Sequence, residues 1–266
     1  MKNGKKLIIF ITSLFLLFLL YFIYLNYVEY KIFFINNKSD FKLENLYKKN
    51  ILIFTIETRD LKILDIHNKN ITEYSKKHNY NYIFLNNYKN NLELPVYWWK
   101  IQCMLDNLNI GKYDYVLWLD SDAFFIDDKI PLESLIEMSP KSSIYIGKDF
   151  GVNLINENSY CAGVFLVKND KIGKEFLLDC INTYINTKFC KVDNNYTLNS
   201  QWAGDCYEQG VMNKLLETKY KENVFNIPYS FVLNNGKLSE NTVISHIFGD
   251  KDNTYNQITQ FLKNKN

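Results

Sequence analysis

The residues most suited to chemistry are two aspartates separated by a single serine. Asp120, Ser121 and Asp122 follow directly after residues 113–119 (YDYVLWL), whose apolar composition is typical of a buried strand. In open α/β sheets, ligands bind beyond the carboxyl ends of the strands. Two carboxylates in one turn there can converge on one hard divalent cation. A solvated acidic turn is the alternative interpretation, and the later pair Asp127–Asp128 is interpreted as surface.

Four other segments carry residue types that suit the same chemistry. An aromatic helix start with a lysine lies at 97–101, and a small-residue turn leads into a strand at 160–169. Residues 208–212 begin a helix with Glu-Gln-Gly, and residues 245–251 combine histidine, glycine and lysine after a strand. The order and spacing of these segments together favour a functional site over an acidic surface turn.

These segments resemble the nucleotide-sugar glycosyltransferases of the GT-A fold, and most closely the Golgi galactosyl-, xylosyl- and mannosyltransferases of family 34. That family has an aromatic-x-Lys-Ile helix, a Trp-Leu-Asp-x-Asp strand end, an Asn-x-Gly-x-Phe-Leu-x-Arg-Asn stretch, an acidic-Gln helix start and a terminal His-Phe-x-Gly-x-Lys. The motifs occur here in the same order from about residue 51 to residue 251. The resemblance implies a metal-dependent enzyme with a nucleotide diphosphate sugar as donor and a glycan as acceptor.

The resemblance also implies a role for each matching residue. Asp120, Asp122 and His246 would hold Mn²⁺, which would bridge the diphosphate of the donor. As catalytic residues, Gln209 would lie beside the reacting anomeric carbon and Glu208 near the transferred sugar. The other matches would contact the nucleotide or its diphosphate: Thr55, Glu57, Arg59, Lys100, Ser121, Gly163, Gly249 and Lys251.

The chemistry of these residue types agrees with the implied roles. Negative charge develops on the diphosphate as the glycosidic bond breaks, and a divalent cation together with Lys251 can stabilise it. Mn²⁺ accepts mixed carboxylate and imidazole ligands, whereas Mg²⁺ prefers oxygen, so neutral His246 favours manganese. No side chain in these motifs is an obvious strong base. We therefore expect the departing phosphate to deprotonate the acceptor hydroxyl, with the retention of anomeric configuration that the resemblance implies.

Two positions depart from the family pattern. Cys161 stands where the family has asparagine and Lys168 where it has arginine, so contacts with the donor sugar are expected to differ. UDP-galactose is favoured as donor over UDP-xylose and GDP-mannose. Two alternatives stay open: a GT-A enzyme of another family, such as a glycogenin-like one, and a membrane-anchored, non-catalytic glycan-binding or scaffold protein with a degenerate site. In the latter, His246 is a structural histidine and Lys251 a solvated charge.

The other histidines and the tryptophans have simpler interpretations. His67 and His78 lie on a helix that is expected at the surface, and both are interpreted as structural. Trp202 is the candidate for stacking on the acceptor sugar. The remaining tryptophans are interpreted as core residues: Trp98, Trp99 and Trp118.

Strand-like and helix-like segments alternate along the chain. The predicted strands are 51–57, 80–85, 113–119, 143–147, 163–167 and 243–247, and the predicted helices are 61–78, 96–108, 171–185 and 205–216. Such alternation predicts a three-layer α/β fold, here a GT-A (Rossmann-like), mainly parallel sheet flanked by helices. We expect a single domain over 46–251, followed by a C-terminal tail at 252–266.

The N-terminal segment has the pattern of a membrane anchor. Residues 7–28 contain no charged side chain and would extend about 33 Å as a helix, enough to cross a bilayer. Lysines precede the segment, which predicts a cytosolic tail at 1–6, a transmembrane signal anchor at 7–28 and a stem at 29–45. A cleaved signal peptide is disfavoured because the first alanine is Ala123. The expected location is a Golgi or other secretory-pathway membrane, single-pass type II, with a lumenal catalytic domain.

Charge and composition narrow the partners. The 266 residues carry 31 basic and 29 acidic side chains, but only one arginine, Arg59. Three of the lysines precede residue 7, so the remaining chain is near neutral, which argues against nucleic-acid binding. Sequons at Asn37, Asn70 and Asn195 would suit a secretory lumen, as would disulfides among the five cysteines. The odd number leaves at least one cysteine unpaired within the chain, and homo-oligomerisation stays open.

Overall fold

The fold is built on a large mixed sheet with a small second sheet beside it. The computed structural model describes residues 47–88, 92–149, 159–187, 190 and 203–265, and residues 48–266 belong to one compact unit. The strands of this described part are β1 (Ile51–Ile56), β2 (Asn81–Leu85), β3 (Tyr115–Leu119), β4 (Ala123–Phe125), β5 (Ile144–Lys148), β6 (Tyr160–Lys168), β7 (Val224–Ile227), β8 (Val232–Asn234) and β9 (Ile244–His246).

The large sheet has the strand order β2-β1-β3-β6-β5-β7, and the small sheet has the order β4-β9-β8. β1 pairs in parallel with β2 and β3, and β5 pairs in parallel with β7, but β6 runs antiparallel to both β3 and β5. The sheet is therefore mixed but mainly parallel, as predicted, because five of its six strands run in one direction and β6 opposes them. The segment between β5 and β6 covers only residues 149–159, which is shorter than the dozen or more residues that a parallel crossover needs.

Helices cover the sheet and follow the predicted order. In the described part of the chain they are α1 (Leu64–His78), α2 (Trp99–Ile110), α3 (Leu132–Met138), α4 (Lys171–Asn186), α5 (Glu208–Glu217) and α6 (Lys251–Lys265), with short 3-10 turns at Val96–Trp98 and Lys221–Asn223. The four predicted helices agree with α1, α2, α4 and α5 to within three residues at each end. Strands β4, β7 and β8 and helices α3 and α6 were not predicted, because most are too short to show a period.

The central strands of the large sheet are buried on both faces, as a three-layer fold requires. Leu52 and Phe54 of β1 pack in the same hydrophobic cluster as residues of α2, α4 and α5. The alternate residues Ile51 and Ile53 pack with residues of α1 and α3 and of the small sheet. Because successive strand residues point to opposite faces, an apolar run such as Ile51–Ile56 is what a strand covered on both sides needs.

The C-terminal residues form a helix rather than the expected tail. α6 covers Lys251–Lys265 and lies in the same compact unit as the rest of the domain. Ile258 is fully buried in a cluster with Phe124 and Ile247, and Phe261 and Leu262 pack against that cluster. The spacing of these three α6 residues places them on one helix face, which anchors the segment to the small sheet.

The predicted N-terminal features lie outside the described residues: the tail at 1–6, the anchor at 7–28 and the stem at 29–45. Within the part of the chain that is described, no helix combines the length and the hydrophobicity needed to cross a membrane. Of the sequons, Asn70 is described. Its carboxamide donates to the Phe125 carbonyl at 2.9 Å and accepts from the Phe125 amide at 2.8 Å, so this side chain supports β4 instead of standing free for glycosylation.

The cysteines divide into one disulfide and three thiols. Cys190 and Cys206 are bonded, with a Cα–Cα distance of 5.5 Å. Cys103, Cys161 and Cys180 are free and buried, which confirms the interpretation of Cys103 and Cys161 as small buried side chains. The disulfide fastens the segment before α5, the helix that carries two of the candidate catalytic residues.

Candidate active site

The acidic turn lies where β3 ends and the small sheet begins. The amide of Asp120 donates to the carbonyl of Gly163 at 2.8 Å, and the amide of Ala123 donates back to Asp120 at 2.9 Å, which closes a tight turn. β4 starts at Ala123, and the register of β4 with β9 places His246 directly opposite it. The amide of Ile247 donates to the Asp122 carbonyl at 2.9 Å. Strand pairing therefore brings His246 to the acidic turn.

The three predicted metal ligands form one cluster. A ligand atom from each of Asp120, Asp122 and His246 lies within 4.8 Å of the others. Nε2 of His246 is 3.2 Å from Oδ1 of Asp122 and 3.7 Å from Oδ2 of Asp120, yet it has no hydrogen-bond partner among the described residues. Two carboxylates and an imidazole with an unused nitrogen are a donor set that fits a divalent transition-metal ion.

Lys251 completes the charge balance of this cluster. Its ammonium forms an ion pair with Oδ2 of Asp122, whose side chain is 5% exposed. Burial alone raises the pKa of Asp122, but His246 and Lys251 outweigh it and hold the pKa well below its usual value. For His246, burial alone lowers the pKa, whereas Cys161 and Asp122 raise it well above its usual value. A bound cation would take the place of the imidazole proton beside the carboxylate of Asp122.

Gly163 makes room for the imidazole. A Cβ on Gly163 would lie 2.0 Å from Cε1 of His246 and 2.5 Å from Nδ1, distances that no real side chain tolerates. The ring of His246 covers the position where a side chain of residue 163 would stand, and the expected contact of Gly163 with the nucleotide stays a prediction. The glycine of this motif is explained by the close approach of β6 to β9.

Replacing Gly163 by alanine should displace His246 and weaken metal binding. We expect the affinity for Mn²⁺ to fall about 10- to 100-fold, as it does when the support of a metal ligand is lost. Electron paramagnetic resonance of free Mn²⁺ measures this directly. Gly111→Ala is the matched control: that glycine caps α2 with a φ of 76° and has nothing within 4 Å of a Cβ. The control should lose stability and keep its affinity; equal affinity in both variants would contradict the role of Gly163.

A buried lysine joins the metal cluster to the start of α5. Nζ of Lys100 lies 3.2 Å from Oδ1 of Asp120, 3.0 Å from Oε1 of Glu208 and 3.3 Å from the carbonyl oxygen of Ala162. Burial alone lowers the pKa of Lys100, but the two carboxylates raise it well above its usual value. All three ammonium hydrogens have an acceptor, so Lys100 supports the two carboxylates. This role differs from the expected one, which was a contact with the nucleotide or its diphosphate.

Glu208 and Gln209 face the site from the first turn of α5. Glu208 is buried, and its Oε2 has no hydrogen-bond partner among the described residues. Gln209 accepts from the amide of Ala162 at 3.0 Å and donates to Asp149 at 3.1 Å. The structure thus places both predicted catalytic residues beside the metal cluster. It also adds Asp149, which sequence reasoning missed because the residue has no recognisable motif.

The segment after β1 divides into buried and accessible residues. Glu57 accepts from Ser121 at 2.7 Å and forms a two-point pair with Arg59, at 2.8 and 2.7 Å. Burial alone raises the pKa of Glu57, but hydrogen bonds from Arg59 and Ser121 hold it below its usual value. Arg59 has 60% of its side chain exposed beside this pair and stays available to a ligand. Gly249, with a φ of 116°, lies in the loop before α6 with open space around it.

Thr55 is a supporting residue rather than part of a nucleotide pocket. It is fully buried, and its hydroxyl donates to the carbonyl of Leu119 at 2.9 Å, just before the acidic turn. His67 contacts the same hydroxyl at 3.0 Å and the carbonyl of Ala123 at 3.1 Å. His67 is structural, as expected, but it is completely buried instead of lying at the surface. Through the Thr55 hydroxyl and the Ala123 carbonyl, His67 connects the two ends of the acidic turn.

The burial of His67 predicts a pH dependence of stability. Desolvation lowers the pKa of His67 from 6.5 to about 4. Between these values the unfolded chain binds the proton and the folded chain does not. The free energy of unfolding should therefore fall by up to about 3 kcal/mol as the pH drops from 6.5 to 4. Urea unfolding gives the free energy of unfolding of the wild type and of His67→Gln at each pH in this range. If that free energy depends on pH equally in the two proteins, the prediction is refuted.

Other predicted positions lie away from the cluster. His78 contacts the carbonyl of Asp128 at 2.9 Å, which agrees with a structural histidine and a surface acidic pair. Lys168 contacts Pro140 and Asp170 at the start of β3, where it pairs with Tyr115, so it lies at the opposite end of β6 from the site. Its expected influence on the donor sugar is therefore corrected. The three predicted core tryptophans are buried or partly buried: Trp98, Trp99 and Trp118. Trp202 lies outside the described residues.

Fold and site together define a class: a Rossmann-like α/β enzyme with a candidate cation site at the carboxyl end of its central strands. The chain belongs to the galactosyl transferase GMA12/MNN10 family, which its sequence matches over residues 48–227, and it is a glycosyltransferase. The match includes Asp120, Asp122, Glu208 and Gln209 but ends before His246. The pairing of β4 with β9 is what brings this histidine to the site.

A solved structure of a glycosyltransferase shares the fold. The chain is similar to a glycosyltransferase involved in the glycosylation of the major capsid of PBCV-1, with 16% identity and a TM-score of 0.57 over 79% of this chain and 99% of the other. The glycosyltransferase GlyE of Streptococcus pneumoniae TIGR4 aligns with 13% identity and a TM-score of 0.47 over 82% of this chain and 63% of that one. No curated protein matches this chain.

Proposed function

We propose that this glycosyltransferase uses a divalent cation, Mn²⁺, to transfer a hexose or pentose from a nucleotide diphosphate sugar to a glycan. UDP-galactose is the favoured donor, ahead of UDP-xylose and GDP-mannose. The observation that carries the proposal is the cluster of Asp120, Asp122 and His246 with an unused imidazole nitrogen, next to Lys251. These residues would hold the cation at the edge of the sheet where α/β enzymes bind their ligands.

The charges at the site suit a diphosphate leaving group. A cation bound to Asp120, Asp122 and His246 would supply Lewis-acid stabilisation for the charge that develops on the diphosphate. Lys251, which stands with 28% of its side chain exposed beside Asp122, adds a second positive charge there. Arg59 provides a further exposed cation on the same side of the acidic turn, through its pair with Glu57 and the bond of Glu57 to Ser121.

The sugar-facing groups support transfer with retention. Oε2 of Glu208 has no partner within the described part of the chain and can accept a hydrogen bond from a sugar hydroxyl. The carboxamide of Gln209 is held by Ala162 and Asp149, and its oxygen keeps a second lone pair that can accept a hydrogen bond. Oε1 of Glu208 is already paired with Lys100, so we assign this carboxylate the role of a hydrogen-bond acceptor. The departing phosphate is then the group that removes the proton from the acceptor hydroxyl.

A donor screen tests the proposed activity. The full chain, purified in detergent, is incubated with a panel of nucleotide sugars with and without Mn²⁺, and release of the nucleoside diphosphate is measured. We expect one donor of the panel to be turned over, and this turnover to require Mn²⁺. Turnover that is independent of metal would refute the role of the cation, and a product with inverted configuration by NMR would refute retention. Calorimetry with Mn²⁺ and UDP tests the non-catalytic alternative: no binding, or binding unaffected by Asp122→Ala, would favour a scaffold with a degenerate site.

We also propose that the chain is a single-pass type II protein of a secretory-pathway membrane, such as the Golgi. The uncharged segment at 7–28 after three lysines supports this topology. The Cys190–Cys206 disulfide supports an oxidising lumen for the enzymatic domain. In sealed microsomes, the domain should resist added protease until detergent is present, and digestion of the domain without detergent would contradict the orientation.

A further inference from the structure

We propose that Asn234 is a positioning residue that holds His246 in the tautomer able to bind a cation through Nε2. The inference rests on the proposed metal-dependent function and adds a residue that no motif marks. Asn234 is the last residue of β8, fully buried, and stands opposite His246 in the parallel pairing of β8 with β9. Its side chain therefore meets the imidazole from the side that faces away from the acidic turn.

The orientation of the Asn234 carboxamide is set by its second partner. Nδ2 donates to the carbonyl oxygen of Lys148 at 3.2 Å. The amide oxygen must then face Nδ1 of His246, and the two atoms are 3.1 Å apart. A carboxamide oxygen only accepts hydrogen bonds, so Nδ1 has to carry the hydrogen. In the neutral ring, Nε2 is left with its lone pair.

That lone pair points to the cluster that would hold the cation. Nε2 lies 3.2 Å from Oδ1 of Asp122 and 3.7 Å from Oδ2 of Asp120, and it has no hydrogen-bond partner among the described residues. Histidines that bind metals generally donate their other ring hydrogen to a protein acceptor, which fixes both the tautomer and the ring orientation. Sγ of Cys161, 3.5 Å from Nδ1, is the other group near that nitrogen and a much weaker acceptor.

Two glycines leave the space that this pair of side chains needs. A Cβ on Gly147 would lie 2.8 Å from Nδ2 of Asn234, and a Cβ on Gly163 would collide with the ring of His246. Gly147 belongs to β5 and Gly163 to β6, so both lie in the sheet against which β8 and β9 pack. The absence of side chains at these positions leaves room for the amide and the imidazole to stay within hydrogen-bond distance.

Two variants separate the hydrogen bond from the packing. Asn234→Leu keeps the size of the side chain but cannot accept from Nδ1, whereas Asn234→Asp keeps the acceptor. The full chain is labelled with ¹⁵N-histidine, and the ring nitrogens are observed by NMR at a pH where the imidazole is neutral. Because the chain has three histidines, comparison with His246→Gln assigns the signals. The affinity for Mn²⁺ alone is measured on the same proteins by electron paramagnetic resonance.

We expect the wild type and Asn234→Asp to show the hydrogen on Nδ1 and similar Mn²⁺ affinities. Asn234→Leu should lose the preference for that tautomer and bind Mn²⁺ about 10- to 100-fold more weakly. An unchanged tautomer in Asn234→Leu, or equal losses in both variants, would overturn the proposal. If Asn234→Leu does not fold, Gly147→Ala replaces it, because its Cβ would crowd the same amide. This variant should also weaken the tautomer preference and the Mn²⁺ affinity, and no change in either would contradict the proposal. Neither the tautomer nor the Mn²⁺ affinity depends on sugar turnover. If the protein shows no transferase activity, the proposed function is refuted, but this test of Asn234 stays valid.

Discussion

Replacing Asp122 by asparagine should abolish divalent-metal binding and lower sugar transfer about 1,000-fold. Asp122 is buried and contacts both His246 and Lys251, so its charge is the centre of the cluster. Asparagine has the same shape but offers a neutral oxygen in place of the carboxylate, and it leaves Lys251 without its counter-charge. Turnover with the identified donor and Mn²⁺ affinity by electron paramagnetic resonance measure the two effects together.

Asp127→Asn is the matched control for this substitution. It makes the same chemical change five residues later, where Oδ1 of Asp127 accepts only from the amide of Lys129 at 2.9 Å in a partly exposed turn. The control should keep wild-type turnover and metal affinity. Circular dichroism establishes that both variants are folded, because Asp122 also stabilises the domain. A folded Asp122→Asn protein with normal Mn²⁺ binding would rule out the assigned cluster.

Replacing Lys100 by methionine should destabilise the fold and reduce turnover together. The ammonium is the partner of Glu208 at 3.0 Å and of Asp120 at 3.2 Å. Without it, the buried carboxylate of Glu208 has no counter-charge, and breaking such a pair lowers the free energy of unfolding by about 3 kcal/mol. Turnover should fall about 100-fold, because Asp120 and Glu208 lose the group that positions them. Urea unfolding and steady-state kinetics measure the two quantities.

The double variant Lys100→Met/Glu208→Gln distinguishes a charge effect from lost packing. Neutralising Glu208 removes the unpaired charge, so about 2 kcal/mol of stability should return while turnover stays low. Lys112→Met is the control, because Lys112 is exposed and lies over the ring of Tyr113. If the double variant is no more stable than Lys100→Met, the loss came from packing and the proposed ion pair does not stabilise the fold.

Local patterns were sufficient for the elements and for the type of chemistry. The apolar run of β3 with two aspartates directly after it predicted a strand end followed by an acidic turn, and that is what the structure has. The acidic-glutamine pair at the start of a helix was also correctly placed, at Glu208 and Gln209. Such features depend on neighbouring residues, which a sequence shows directly.

Burial and strand direction were the properties that local patterns did not predict. Thr55 and His67 have polar side chains, yet both are fully buried. Their polar atoms form hydrogen bonds with the backbone carbonyls of Leu119 and Ala123, at the two ends of the turn after β3. Lys168 is in the right motif but at the wrong end of β6, since β6 runs antiparallel to its neighbours. A motif position says which residues are close in the chain, and only the strand order decides which end of the sheet they occupy.

By itself, the sequence determined the class of fold, the order of the main helices and strands, and the residue types available for metal and sugar chemistry. Only the tertiary structure decided which of them act together. Lys251 meets Asp122 across 129 residues of chain, and Asn234 meets His246 through the pairing of β8 with β9. Lys100 turned out to support two carboxylates instead of a ligand. The physical reason is that hydrogen-bond partners and counter-charges in a buried site come from segments distant in sequence, and their meeting depends on strand pairing and packing.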